Sequence, residues 1–238
     1  MKVTLISYTP SAVELLLFTK STRLNLSPDL FGEMFNKSSA VKIEELQYMA
    51  NTIPSSWEFI DYVFLVEGVS RAYTHQQVRT RAASYAQQSM RVNDMADFEY
   101  VLTDGNHQSM EAMDVIAGVV EGIKQAYSDL RSLGQAPEDA RGILPTNIAT
   151  NIICKFNLRT FSELVKSRTG GRTQSEYQAV VNAMADEVLK VHQWASMFLF
   201  KRDRDYFDEL ETFAKAKFPD LKERGELLKI IDHMRKEG

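Results

Sequence analysis

The chain has 238 residues, 44% of them hydrophobic, enough to bury a full core in one large domain or two small ones. Its formal net charge of -4 argues against binding to a nucleic-acid polymer, which calls for a strongly basic domain. Cys154 is the only cysteine, and His75, His107, His192 and His233 are scattered without ligand spacing, so neither a disulfide nor a bound metal is expected.

At the N-terminus, Val3 to Tyr8 reads as a strand and Ser11 to about Leu17 as a helix. The apolar run there is broken by Ser7, Tyr8, Thr9, Pro10 and Glu14, and no small-residue cleavage site follows, so it is not read as a signal peptide. No stretch reaches the ~18 to 20 apolar residues that span a bilayer. A soluble, cytoplasmic protein without a membrane partner is expected. From Ser27 to Thr52 the pattern gives two short helices, with Ser27 as cap, Pro28 in the first turn, and Ile43, Leu46 and Met49 at helical spacing. A turn containing Pro54 leads to Trp57–Val66, whose aromatic and branched residues predict a strand.

That strand runs into the most informative part of the chain. Between Ser70 and Val92 stand Arg71, Arg79, Arg81 and Arg91 with no Asp, Glu or Lys among them, accompanied by Gln76, Gln77, Gln87 and Gln88. Exposed helices usually mix both signs, so this composition reads as a receptor for an anion. Arginine suits the task because its planar fork stays charged and grips phosphate or carboxylate with paired hydrogen bonds. A helix over Val69–Arg81 is expected to put Gln76, Arg79 and Thr80 on one face and Arg81 on another. The spacing Arg79-x-Arg81-x-x-Ser84-x-x-Gln87-x-Ser89-x-Arg91 resembles the signature of the flavin-dependent thymidylate synthases, an Arg-His-Arg triplet followed by Ser, then Glu or Gln, then Ser, then Arg. Thr80 stands where that family has its central histidine. The same family places a His-x-Ser/Thr-x-x-Glu pattern before the signature; Ser55 and Glu58 match it, and Ile53 takes the histidine's position.

Farther on, Phe98–Leu102 predicts a short strand. Asn106 to Leu133 predicts a long packing helix, with Met113, Ile116, Val120, Ile123, Tyr127 and Leu130 alternating steps of three and four, Gly134 as the stop and Pro137 just beyond. Pro137–Ile153 reads as loop and strand. Cys154, in the run IICKF, reads as a small core residue and not as a nucleophile. A second basic cluster follows, in which Asn157, Arg159, Lys166, Arg168 and Arg172 surround the single Glu163. Gln174 to Phe200 predicts one long helix, and 201–238 a charged helical segment with KRDRD as a solvated face and Phe213, Leu221, Leu227, Ile230 and Ile231 as its apolar contacts. With no linker or repeat, 1–238 is read as a single domain.

This second cluster also matches the family. Arg141, Pro145, Asn157, Arg159, Arg168, Gln174 and Glu176 fall at its spacing without a gap, while Glu163 departs from the Asn often found on the flavin side. The resemblance, spanning roughly Val3 to Trp194, implies an α/β fold of the α+β type, an antiparallel sheet with long helices, assembled as a homotetramer with active sites at subunit interfaces. It implies conversion of dUMP to dTMP with 5,10-methylenetetrahydrofolate as one-carbon donor, a hydride from reduced FAD, and NADPH to recharge the flavin. Carried over by position, it implies that Arg168 is catalytic by ionising the uracil ring, and that the pyrimidine deoxynucleotide monophosphate is held by Gln76, Gln77, Val78, Arg79, Gln87, Gln88, Ser89, Met90, Arg91, Arg141 and Arg168. Ser55, Arg79, Thr80, Arg81, Gln87, Asn157, Arg159 and Glu163 fall on the FAD side. The departures at Ile53, Thr80 and Glu163 leave two alternatives open: a sister enzyme that methylates or hydroxymethylates dUMP or dCMP, and a nucleotide-binding protein without flavin or catalysis.

Overall fold

The computed structural model describes residues 1–22, 24–103, 109–170, 173–200, 206–218 and 220–237. Arg172, the start of the long helix expected at Asn106, and the KRDRD run at 201–205 lie outside them. Contacts group the chain into two compact units, Met1–Phe200 and Lys201–Gly238.

The first unit is built on a four-stranded antiparallel sheet in the order β1 (Lys2–Tyr8), β2 (Asp61–Ser70), β4 (Ala149–Asn157), β3 (Ala83–Gln87). Successive strand residues face opposite sides, so Tyr62, Phe64 and Val66 of β2 and Ile152, Cys154 and Phe156 of β4 all point into one core and are buried. Two helices cover them, α7 (Leu158–Arg168) through Phe161, Leu164 and Val165, and α8 (Ser175–Val191) through Tyr177, Val180, Val181, Met184 and Val188. The Phe161 ring lies 5.3 Å from that of Phe64 and 6.1 Å from that of Phe156. Burying one such side chain contributes ~1.5–3 kcal/mol, so the aromatic layer fixes α7 to the sheet.

Ahead of the second strand come α1 (Ala12–Lys20), α2 (Pro28–Asn36) and α3 (Ser39–Thr52). The expected Ser27 cap is present, its Oγ accepting from the Leu30 amide at 3.1 Å with Pro28 in the first turn. Trp57–Phe59, read above as strand, instead belong to a 3-10 turn over Pro54–Phe59. The Trp57 indole is buried and donates to the Met49 carbonyl at 3.1 Å, which holds that residue against α3 and delays the strand to Asp61.

Between Val66 and Val69 the register of β2 against β4 shifts, and Gly68 sits at φ 65 with its amide donated to Asn151 Oδ1 at 2.9 Å. A side chain there would be strained. The bulge aims the chain into α4 (Arg71–Gln77), which is shorter than the Val69–Arg81 helix expected. It stops because the Tyr85 hydroxyl, 2.9 Å from the Gln77 carbonyl and 2.8 Å from that of Thr80, takes up the open end, and because the following residues join β4 as β3. Arg79 and Arg81 therefore stand on a connection between helix and strand, and Arg79 does not share a helical face with Gln76.

The strand expected at Phe98–Leu102 reduces to one bridge, Tyr100 with Ile148. Then α5 (Met110–Ser132), capped by Ser109 and stopped at Gly134 with φ 85, packs Val120 against Phe98 and Ile148. A short α6 (Pro137–Ala140) and a 3-10 turn at Arg141–Ile143 precede β4. The single helix expected over Gln174–Phe200 is broken at His192, at φ -131 and ψ 70. Its Nδ1 lies 3.0 Å from the Tyr62 hydroxyl and its ring sits 5.0 Å from those of both Tyr8 and Trp194; a turn and α9 (Ser196–Leu199) follow. The second unit contains α10 (Tyr206–Lys217) and α11 (Leu221–Glu237), where Ile231 is buried while Phe213 and Ile230 are exposed. Among the described residues, no helix is long and apolar enough to cross a membrane.

Candidate functional site

The first turn of α8 ties together the segments that carry the arginines. Gln174 Oε1 accepts from Gln76 Nε2 on α4. Glu176 receives the Ser70 amide at 2.7 Å on one oxygen and the Ser70 hydroxyl at 2.6 Å on the other, while Ser70 Oγ caps α4 by accepting from the Tyr73 amide at 3.0 Å. Gln178 Nε2 donates to the Thr169 carbonyl at 2.8 Å, just past the end of α7. One helix start thus fixes both α4 and the residue following Arg168. The spacing of Gln174 and Glu176 was visible in the sequence; their partners were not.

At one end of the sheet Arg91 and Arg141 meet at Glu138, and Arg71 lies within reach of the Arg141 charge. Arg91 Nε lies 2.5 Å from Glu138 Oε2, and Arg141 Nε donates to the Glu138 carbonyl at 3.2 Å. Burial, and after it the Arg141 charge, lowers the pKa of Arg71. Arg71 was read as part of the basic cluster but given no role; its position beside Arg141 makes it a third cation of this group. Among the described residues no carboxylate pairs with Arg71, Arg79, Arg81, Arg141 or Arg168. Cations kept without counter-charge cost stability through mutual repulsion, so an anionic ligand is the natural partner.

Midway, Arg168 ends α7 with its guanidinium 5.2 Å from the centroid of the Tyr177 ring. Burial raises the Tyr177 phenol, opposed by the Arg168 charge and by the neighbouring groups of Thr80 and Arg168. None of these reaches hydrogen-bond geometry with the hydroxyl, which has no partner. Thr80 and Arg168, distant in sequence, therefore meet at one residue. Gln87 Nε2 donates to Thr74 Oγ1 at 3.0 Å, Gln88 and Ser89 are exposed beyond it, and Ser89 Oγ accepts from the Arg91 amide at 3.1 Å. Gln77 is buried, accepting from the Tyr73 hydroxyl at 3.1 Å; Val78 is exposed and Met90 half-buried.

At the opposite end of the sheet lie the residues read as the flavin side. Asn157 Oδ1 accepts from the Thr160 amide at 2.9 Å and caps α7. Arg159 pairs with Glu58 at 2.7 Å and with Glu163 at 3.5 Å, so the Glu163 departure supplies a counter-charge. Ser55 lines an apolar cavity of about 380 Å³ with Leu15, Phe18, Leu26 and Phe59. Eight residue steps along β4 separate Asn157 from Ala149, ~27 Å at ~3.4 Å per step. The structure thus brings Arg91 to Arg141 and Thr80 to Arg168; the length of β4 separates the Arg91–Arg141 group from Asn157, whereas Ala83, three residues past Thr80, pairs with Phe156 beside it. Burial pushes the Cys154 thiol up to about 12, and among the described residues no His, Cys, Asp and Glu cluster is arranged to hold a metal.

An antiparallel sheet whose edge and helix ends present uncompensated arginines defines an α+β protein built to hold anionic ligands. Residues 4–193 match the model of the family described as thymidylate synthase complementing protein. A flavin-dependent thymidylate synthase of Clostridium tetani is 32% identical over 213 residues, 80% of this chain and 83% of that protein. One from Nitratidesulfovibrio vulgaris is 30% identical over 198 residues, 77% of this chain and 80% of its own. Thymidylate synthase X of Helicobacter pylori, solved with FAD and dUMP, shares the fold with a TM-score of 0.66 at 20% identity, over 84% of this chain and 100% of that one. The chain belongs to the flavin-dependent thymidylate synthase family.

Proposed function

We infer that the protein converts dUMP to dTMP, taking its one-carbon unit from 5,10-methylenetetrahydrofolate, with FAD as cofactor and NADPH as reductant. The observation that carries this reading is the set of arginines left without carboxylate partners among the described residues, in a protein of net charge -4, at positions matching both family blocks. Uracil C5 is a poor nucleophile until charge is pushed onto it. A fixed cation at the ring stabilises the charge that develops, and Arg168 is assigned that role. Arg71, Arg91 and Arg141 are assigned to the nucleotide phosphate, which is to replace Glu138 on Arg91, with Gln76, Gln87 and Ser89 completing the hydrogen bonds. FAD, when bound, supplies the hydride that reduces the transferred carbon. Arg79, Arg81 and Arg159 would hold its pyrophosphate, and Ser55 stands at an apolar cavity suited to a ring.

The ~27 Å between the phosphate and flavin ends of β4 supports sites completed by residues of a second copy, and so the homotetramer. The match of the Clostridium tetani relative to 80% of this chain supports treating 1–238 as one enzyme domain, checked by a single calorimetric transition. A second reading, hydroxymethylation or action on dCMP, is favoured by one feature: Glu163, which departs from the family pattern, adds a carboxylate to Arg159 on the flavin side. Incubation of purified protein with FAD, NADPH, methylenetetrahydrofolate and dUMP, with the nucleotide weighed by mass spectrometry, separates these. Methylated product is expected from the wild type and none from Arg168→Ala. A product one oxygen heavier, or turnover with dCMP alone, selects the second reading, and no product from protein that takes up no flavin leaves only nucleotide binding.

A further inference from the structure

We propose that Tyr177 is a positioning residue for Arg168, its ring face holding the guanidinium where the pyrimidine is met; this rests on the catalytic role given to Arg168 above. Arg168 is the last residue of α7 and has no carboxylate partner among the described residues, so nothing else charged restrains a long, flexible side chain. The ring below it is rigid. Tyr177 is fully buried, the Tyr73 ring meets it edge-on at 5.3 Å, and its neighbours Glu176 and Gln178 are tied to Ser70 and to the Thr169 carbonyl. At 5.2 Å from the ring centroid the guanidinium is within cation–π range. A carboxylate in place of the ring would fix Arg168 too, but would cancel the charge that the reaction uses; an aromatic face orients the cation and leaves the charge intact.

The test combines Tyr177→Phe and Tyr177→Leu with Arg168→Ala in the full chain, reading dUMP affinity by calorimetry and dUMP turnover with flavin, folate and reductant. Thermal midpoints confirm folding, and Tyr177→Met, whose longer and more flexible side chain adapts to an irregular space, replaces the leucine variant if that one does not fold. Tyr177→Phe, keeping the ring, is expected to hold kcat within about twofold, and Tyr177→Leu to lower it about tenfold, near 1.4 kcal/mol. With Arg168 present the leucine change is expected also to weaken dUMP binding, whereas in the Arg168→Ala background, where no turnover is expected, it is expected to cost nothing further in dUMP affinity, because the residue it positions is gone. Full activity in Tyr177→Leu overturns the proposal. So does an equal loss of dUMP affinity with and without Arg168, which marks a merely structural ring. A wild type that neither binds dUMP nor makes thymidylate removes the proposed function, and this inference with it.

Discussion

Glu176→Ala removes the one group that receives both donors of Ser70, the amide at 2.7 Å and the hydroxyl at 2.6 Å. Hydrogen bonds to a charged group contribute ~1.5–3 kcal/mol each, and a buried donor left unmet adds its desolvation cost. Ser70 is buried but Glu176 is only partly shielded, so the low end applies and the loss is about 3 kcal/mol. In a unit of this size 1 kcal/mol moves the thermal midpoint by ~2–4 °C, giving roughly 6–12 °C. Both tryptophans, Trp57 and Trp194, lie in the first compact unit, so urea unfolding followed by their fluorescence reports this unit. Glu176→Gln, which keeps one acceptor oxygen, is expected to lose about half as much. Because Ser70 also caps α4, turnover is expected to fall with stability as Gln76 and the Arg79–Arg81 connection lose their mount. A Glu176→Ala protein within ~0.5 kcal/mol of wild type, or equal losses from Ala and Gln, would refute this account of the clamp.

Thr80→His restores the side chain of the family signature and is expected to tighten FAD, read by quenching of flavin fluorescence on titration; unchanged affinity counts against a flavin contact at this position. Burial lowers the pKa of His192 below its ordinary 6.5, so the unfolded chain binds the proton more readily than the folded one. Its contribution is complete above pH 6.5 and is lost as pH falls from there toward the folded value, at a slope of up to ~1.4 kcal/mol per pH unit. Urea midpoints between pH 7.5 and 5 are expected to fall less steeply in His192→Gln, and parallel curves would sink the assignment. Burial also raises the Cys154 thiol to about 12, so iodoacetamide is expected to label it only after unfolding, and Cys154→Ala to keep its turnover. Labelling of the native thiol, or loss of turnover in that variant, would reopen a thiolate mechanism.

Both motif blocks of the candidate site were legible in the sequence, because arginine spacing and the absence of nearby acids are properties of the chain itself. The counter-charges were less so. Glu138 on Arg91 and Glu58 on Arg159 come from distant segments, 47 and 101 residues away in the numbering, and no local pattern reports such pairs. Tyr177 was missed for the same reason: at helical spacing with Val180, Met184 and Val188 it looks like one more core residue, and only its place under Arg168 distinguishes it.

Local chemistry was enough for the Ser27 cap, the apolar period of α5 with its stop at Gly134, and the alternation that buries Cys154 in β4. Each rests on residues within a few positions, where backbone preference and side-chain direction act directly. What needed the folded chain was the short α4, the edge strand at Ala83–Gln87 and the break at His192. Their causes are the Tyr85 hydroxyl, the open side of β4 and the Tyr62 hydroxyl, contacts that only the sheet and its covering helices create. Propensity allows helix at all three places, and tertiary hydrogen bonds, which satisfy backbone and buried polar groups together, outweigh it.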